Sequence, residues 1–163
     1  MNRKNLTFIL AITMVCSSCH KKESIMEQEK TAATIIAMEK AALEEWNKGN
    51  PSGYLNIYAE DITYFDPFQE KRFDGFEKMQ TFYEGLRGQV QAKHYEMIDP
   101  KVQIADSMAV LSFNYLVTLS ETEVYRWNCT EVYRQQPDKQ WKIIHNHWSF
   151  IRPMDMDFSN VKE

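Results

Sequence analysis

The chain has 163 residues, and its 23 acidic residues outnumber its 19 basic residues to give a formal net charge of −4. This length suits a single domain with a sizeable core. The basic residues form no patch or run along the chain, so the composition argues against nucleic acid as a partner.

The first residues have the pattern of an export signal. Arg3 and Lys4 form a short positive segment, and an apolar run of ten residues, 6–15, follows it. A membrane-spanning helix needs about 20 such residues, whereas a run of this length fits the hydrophobic part of a secretory signal peptide. The run leads into Cys16-Ser17-Ser18-Cys19, which resembles the lipidation motif of bacterial lipoproteins, except that Cys16 stands where that motif prefers Leu.

This resemblance implies that residues 1–18 are a lipoprotein signal peptide and that Cys19 is lipidated. An ordinary secretory signal cleaved nearby is the alternative. Residues 19–30 then form a polar tether, and the mature chain, with a formal charge of −6, faces the periplasm or the exterior of a bacterial cell envelope. Its only membrane contact is the lipid anchor. Cys129 is left without a cysteine partner, so no disulfide stabilises the domain.

Residues 31–152 have the pattern of one α+β domain. Apolar residues at helical spacing, from Ile35 through Ala42 to Trp46, predict a first helix that begins near Glu27 and ends at Gly49-Asn50-Pro51. The elements expected next are a short helix over 52–59, a short strand over 62–66 and a third helix over 76–86.

The second half of the domain is predicted to be a sheet. Residues rich in Val, Ile, Tyr, Phe and Trp form four segments, 93–103, 109–119, 123–134 and 141–151. Their connections are short, which favours an antiparallel meander. Helices followed by strands indicate an α+β fold with the helices on one face of the sheet. Residues 153–163 are expected to be a frayed tail.

Two segments resemble members of the nuclear transport factor 2-like superfamily. The segment from Ile57 to Phe68, with Arg72, Gly75 and Phe82-Tyr83 at matching spacing, resembles the part of ketosteroid isomerases that carries the catalytic base. The last hairpin, residues 130–149, is similar to SnoaL-like proteins and to the association domain of calcium/calmodulin-dependent kinase II. The resemblance implies a cone-shaped fold, in which about three N-terminal helices pack on a curved, mainly antiparallel sheet that encloses a pocket.

The same resemblance implies roles for individual residues. Asp66 matches the general base, and Glu131 matches the acid that donates a hydrogen bond to the substrate oxyanion. The predicted pocket residues are Trp46, Tyr58, Tyr64, Phe82, Tyr83, Ile144, Asn146 and Trp148. One departure concerns the oxyanion-hole tyrosine, because Ala42 stands at its position. That departure argues against steroid isomerase activity itself.

The alternation of side chains along a strand independently supports functional roles for Asp66 and Glu131. Tyr64 and Asp66 share one face, and Glu131 shares a face with Cys129 and Tyr133. A carboxylic acid in apolar surroundings favours its neutral form and can donate, while a more solvated acid nearby can accept a proton. The structural alternatives are that Asp66 is a turn residue before Pro67 and that Glu131 pairs with Arg126 or Arg134 on a solvated face.

His145 and His147 suggest a metal site, since residues two apart share one face of a strand. If Trp148 faces the pocket, however, strand parity places both histidines on the opposite face with Trp141 and Ile143. We therefore expect no metal site, and we interpret that face as a homodimer interface. The sequence contains no phosphate-binding loop or other cofactor motif, so no cofactor is expected.

These observations predict a pocket protein, an acid–base isomerase or dehydratase that acts on a small apolar carbonyl or hydroxyl compound. The alternative is a non-catalytic module for ligand binding or assembly.

Overall fold

A computed structural model describes the backbone of residues 3–151 and the side chains of residues 25–151. The helices are α1 (Arg3–Asn47), α2 (Ser52–Leu55) and α3 (Phe76–Gly85), and the strands are β1 (Tyr58–Phe65), β2 (Phe73–Asp74), β3 (His94–Ala105), β4 (Met108–Thr118), β5 (Val124–Gln135) and β6 (Trp141–Phe150). The predicted tail, 153–163, lies outside the described residues, as do the side chains of the predicted signal peptide and of Cys19. Within the described residues, none of the helices is apolar over a length that could cross a membrane.

The six strands form one sheet in the order β2-β1-β6-β5-β4-β3. All neighbouring strands are antiparallel except β1 and β6, which are parallel. The last strand of the chain therefore lies in the middle of the sheet, beside the first long strand. The helices pack against one face of this sheet, and the predicted α+β fold is confirmed.

The core lies between α1 and the sheet. Ile35, Ala42 and Leu43 on α1 are buried, and so are Leu111 on β4 and Tyr133 on β5. The spacing of four and three residues along α1 turns its apolar stripe toward the sheet, as the sequence predicted. Burial of this stripe accounts for the position of the helix, because its other face carries charged residues.

The first half of the chain differs from the prediction in three places. The first helix begins at Arg3 and not near Glu27, so the backbone of the predicted tether, 19–30, is helical. The second helix ends at Leu55 and not at residue 59, because the backbone of Tyr58 pairs with Ile143 of β6 and so begins β1. Strand β2 was not predicted, since its two residues are too few to give a periodic pattern. It pairs with Thr63 and Tyr64 at the end of β1.

Strand β6 contains a bulge that corrects the predicted division of its faces. Val132 of β5 pairs with His145, whereas the next residue, Tyr133, pairs with Ile143, so Ile144 is an extra residue on β6. Because the bulge reverses the alternation, Ile143 and Trp141 are buried in the core. The prediction that they share the outer face with the two histidines was wrong.

Candidate functional site

A cavity of about 520 Å³ opens between the helices and the concave face of the sheet. Its wall includes six of the predicted site residues, which are Trp46, Tyr64, Asp66, Phe82, Tyr83 and Trp148. They come from α1, from the end of β1, from α3 and from β6, so the fold brings together residues up to about a hundred positions apart. The rest of the wall is almost entirely apolar or aromatic.

Asp66 lies at the end of β1, where the chain leaves the sheet, and its side chain is half-buried. The Tyr64 hydroxyl donates a hydrogen bond to Asp66 Oδ2 over 2.8 Å, and the backbone N–H of Phe68 donates to Oδ1 over 2.8 Å. Each carboxylate oxygen thus accepts one hydrogen bond, which fixes the orientation of the side chain. Among the described residues that line the cavity, Asp66 is the only charged one.

Aromatic rings surround this carboxylate. Tyr64 meets Tyr83 edge-on, with ring centroids 6.1 Å apart. On the other side of Asp66, the Phe68 ring contacts Trp127, with centroids 6.0 Å apart. Trp127 in turn meets Trp148 at an interplanar angle of 82°. Rings at such angles present both faces and edges, which suits the binding of a flat or bulky apolar body.

A group of hydroxyl and amide side chains connects Asp66 to the core. The Tyr83 and Tyr58 hydroxyls are 2.8 Å apart, and the amide of Asn146 donates to the Tyr58 hydroxyl over 3.2 Å. The Tyr83 hydroxyl also interacts with that of Tyr64, which donates to Asp66. Burial raises the pKa of Tyr64 and Tyr83 above the ordinary tyrosine value, so both stay protonated at neutral pH.

Glu131 is not on the cavity wall. It is fully buried beneath it, with Glu39 of α1 as its neighbour, and both carboxyl groups have no exposed surface. The Tyr133 hydroxyl lies 2.8 Å from Glu131 Oε2 and 3.2 Å from Glu39 Oε2, while Tyr54 donates to Glu39 Oε1 over 2.6 Å. The alternative that Glu131 pairs with Arg126 or Arg134 on a solvated face is wrong, since Glu131 is fully buried and accepts from Tyr133.

The hydrogen-bond donors around Glu39 and Glu131 are too few for both carboxyl groups to be ionised. The Tyr133 hydroxyl has one hydrogen and cannot donate fully to both carboxylates. Glu131 Oε1 faces no N–H or O–H donor among the described groups, and a protonated Glu39 or Glu131 would supply the missing hydrogen bond. Burial raises the pKa of Glu131 well above its usual range, and repulsion by Glu39 raises it further. Burial also raises the pKa of Glu39.

Three other predicted pocket residues lie away from the wall. Tyr58 and Asn146 are buried behind it, and Tyr58 contacts the wall residues Tyr83 and Tyr54. Ile144 lies at the bulge of β6 and is half-buried, outside the cavity lining. His145 and His147 follow the bulge on the outer side of the sheet, where His145 Nδ1 is 2.8 Å from Thr63 Oγ1.

Several residues of the site were not predicted from the sequence. Glu39 could have been found, because it lies four residues after Ile35 and three before Ala42, on the apolar stripe of α1. An acid on such a stripe is unusual, since buried carboxyl groups need partners. Five missed wall residues are aromatic, Tyr54, Phe68, Tyr115, Tyr125 and Trp127. Nothing in their local sequence distinguishes cavity-lining rings from rings of the core.

The fold and the cavity together define an NTF2-like protein. The model of the calcium/calmodulin-dependent protein kinase II association domain family matches residues 31–151. The chain belongs to this family.

Solved structures agree with that assignment. A protein from Parabacteroides distasonis, named as a proposed ketosteroid isomerase, is 45% identical, with a TM-score of 0.67 over 74% of this chain and 88% of that chain. An NTF2-like protein of unknown function from Pseudomonas putida is 24% identical, with a TM-score of 0.69 over 81% of this chain and 93% of that chain. The association domain of C. elegans CaMKII is 18% identical, with a TM-score of 0.62 over 74% of this chain and 96% of that chain. A search of curated protein sequences gives no match.

Proposed function

We propose that the chain is an acid–base isomerase or dehydratase that acts on a small apolar carbonyl or hydroxyl compound, with Asp66 as the general base. The observation that carries this proposal is the position of Asp66, a carboxylate fixed by two hydrogen bonds on the wall of an otherwise apolar cavity. A general base must stand within hydrogen-bond reach of the proton that it removes, and a ligand in this cavity would lie against Asp66. The name of the Parabacteroides distasonis relative supports the same class of reaction.

The group that would stabilise the developing oxyanion differs from the one that the sequence suggested. Glu131 lies behind the wall, and Ala42 replaces the tyrosine expected on α1. The wall residues Tyr64 and Tyr83 both belong to the group of side chains that ends at Asp66, and the Tyr64 hydroxyl already donates its hydrogen to Asp66. We infer that Tyr83 is the donor in this protein, because burial keeps it protonated and its ring lines the cavity.

The substitution Asp66→Asn tests the proposal. It removes the proton acceptor and keeps nearly the same shape, so exchange of substrate α-protons should fall by about 10²–10⁴-fold. The measurement is deuterium exchange into a panel of small cyclic ketones, followed by NMR. Glu70→Gln is the matched control, because it removes an exposed acid from the same loop, outside the cavity lining. Full exchange activity in the Asp66→Asn variant would contradict the catalytic role.

A second candidate is a non-catalytic module for ligand binding or assembly. The specific observation in its favour is that three tyrosines on the wall already donate their hydroxyl hydrogens to side chains: Tyr54 to Glu39, Tyr64 to Asp66 and Tyr115 to Asn47. The family match to an association domain agrees with this candidate. Absence of exchange by the native chain across the ketone panel, with binding retained, would favour it.

The proposal also includes the location and the assembly of the protein. We propose that Cys19 carries a lipid anchor at the bacterial cell envelope, on the strength of the sequence pattern before it. We further propose that the domain is a homodimer, which agrees with the hub domains of CaMKII among its structural relatives.

A further inference from the structure

Among the described residues, the cavity wall carries one acidic side chain and no basic one, a feature that the proposed reaction does not use. Asp66 forms no ion pair with any side chain of the described residues, although it is half-buried at the end of β1. The nearest arginine in sequence, Arg72, is paired with Asp74 over 2.7 Å. No lysine, arginine or histidine of the described residues lies on the cavity wall. Because this half-buried carboxylate has no cationic partner among the described residues, an ammonium group in the cavity would supply one.

The rings around Asp66 favour the same kind of ligand. The faces of aromatic rings carry partial negative charge and attract cations, most strongly in the case of tryptophan. Trp148 meets Tyr115 at 84° and Trp127 at 82°, so the Trp148 ring is nearly perpendicular to both of its aromatic neighbours on the cavity wall. The ring of Phe68 contacts Trp127, and the backbone N–H of the same residue donates to Asp66.

We propose that this cavity is a binding site for an organic cation, an amine or quaternary ammonium compound with an apolar body. Its ammonium group pairs with Asp66, and its body lies among the rings of Trp127, Trp148 and Tyr83. An anionic ligand finds no basic side chain on the described wall and meets a carboxylate instead, so the cavity excludes it. This inference goes beyond the proposed reaction, since it requires the cavity and Asp66 as an anion but no catalysis. A bound amine would cover Asp66 and inhibit proton abstraction.

Three probes that share one body and differ in charge test this inference. They are 4-phenylbutylamine, 4-phenylbutanol and 4-phenylbutyrate, titrated into the purified full-length chain by calorimetry and by the fluorescence of its tryptophans. The amine should bind about tenfold more tightly than the alcohol, and the carboxylate should bind most weakly. Affinity of the alcohol equal to or above that of the amine in the native chain would overturn the inference, and so would the absence of binding by all three probes.

Two variants separate the counter-ion from the apolar contacts. In Asp66→Asn the advantage of the amine over the alcohol should fall to within about twofold, while the alcohol affinity stays the same. Glu70→Gln, with the same change in net charge, should keep the full advantage. Loss of the advantage in both variants would overturn the assignment to Asp66. If the amine preference is intact but no ketone exchanges protons, the proposed reaction fails and this inference stands.

Discussion

At the scale of single residues, the structure separates two acids that the sequence had placed together. Asp66 lies on the cavity wall, whereas Glu131 lies in the core against Glu39. The alternation of β5 correctly indicated that Glu131 faces inward with Cys129 and Tyr133. It could not indicate that an acid of α1 would meet it there, because that contact joins residues 92 positions apart. The local sequence pattern predicts which face of a strand a side chain occupies. The residue that it contacts there depends on how the helices and strands pack together.

The buried acid pair predicts a pH dependence of stability. The folded-state pKa of Glu131 is raised above the ordinary 4.5, so the folded chain keeps a proton that the unfolded chain loses. Stability should therefore fall as pH rises from about 4.5 to the folded-state pKa, by at most about 1.4 kcal/mol per pH unit for one proton. In Glu131→Gln this decline should weaken, since a glutamine amide still donates to Glu39 but cannot ionise.

Denaturant unfolding at several pH values between 5 and 8 measures the decline. Glu60→Gln is the control, because Glu60 is exposed on β1 and its loss should leave the slope as in the native chain. An unchanged slope in Glu131→Gln would mean that the pair holds no shared proton.

At the scale of elements, long periodic segments were predictable and short or irregular ones were not. The four long strands and the end of α1 at Asn47 follow from β-branched and aromatic runs and from Gly49-Asn50-Pro51. The start of β1 at Tyr58 and the two residues of β2 depend on pairing with distant strands. The bulge at Ile144 depends on the same long-range pairing, and it reversed the assignment of Trp141 and Ile143 to a face.

The outer face of the sheet carries an aromatic cluster of Phe65, His145 and His147. Phe65 is 44% exposed and contacts the rings of His145 and His147, with centroids 5.9 and 5.6 Å away. We predict that a homodimer forms through this cluster. Phe65→Asp should therefore yield a monomer in size-exclusion chromatography at pH 7.5, because it places a charge in the interface. Phe68→Asp is the control, since Phe68 is 70% exposed but lies at the cavity.

Acid should also dissociate this dimer. Burial lowers the pKa of His145 below its ordinary 6.5, so its imidazole is neutral at pH 7 and becomes charged only at lower pH. A charged His145 imidazolium enclosed in an apolar interface would be costly, because burial disfavours an unpaired charge. A native chain that elutes as a monomer at both pH 7.5 and pH 5 would refute the dimer.

At the scale of the whole molecule, the resemblance of two short segments was enough to predict the architecture. The cone-shaped fold and its pocket depend on the order of the elements, which the segments from Ile57 to Phe68 and over 130–149 indicated. The width of the cavity and its charge were not predictable, because they depend on how α1 and α3 lie on the sheet. A shared fold also leaves the reaction open, since related folds carry many functions.

The predicted anchor is a property of the whole chain. Cys19→Ala should abolish incorporation of labelled lipid and move the protein from the membrane fraction to the soluble extracytoplasmic fraction. Cys129→Ala is the control, because Cys129 is buried and should accept no lipid. Unchanged partition of the Cys19→Ala variant into membranes would refute lipidation at this residue.

The parallel pairing of β1 with β6 has a consequence for the order of events during biosynthesis. Tyr58 pairs with Ile143, so β1 can pair with β6 only after 85 further residues have been added to the chain. Contacts of such sequence separation slow folding, because closing a long loop costs entropy before the pairing repays it. One edge of β1 therefore stays unpaired until β6 has been synthesised. This delay suits the export that we propose from the N-terminal sequence pattern, because a translocation channel passes an unfolded chain.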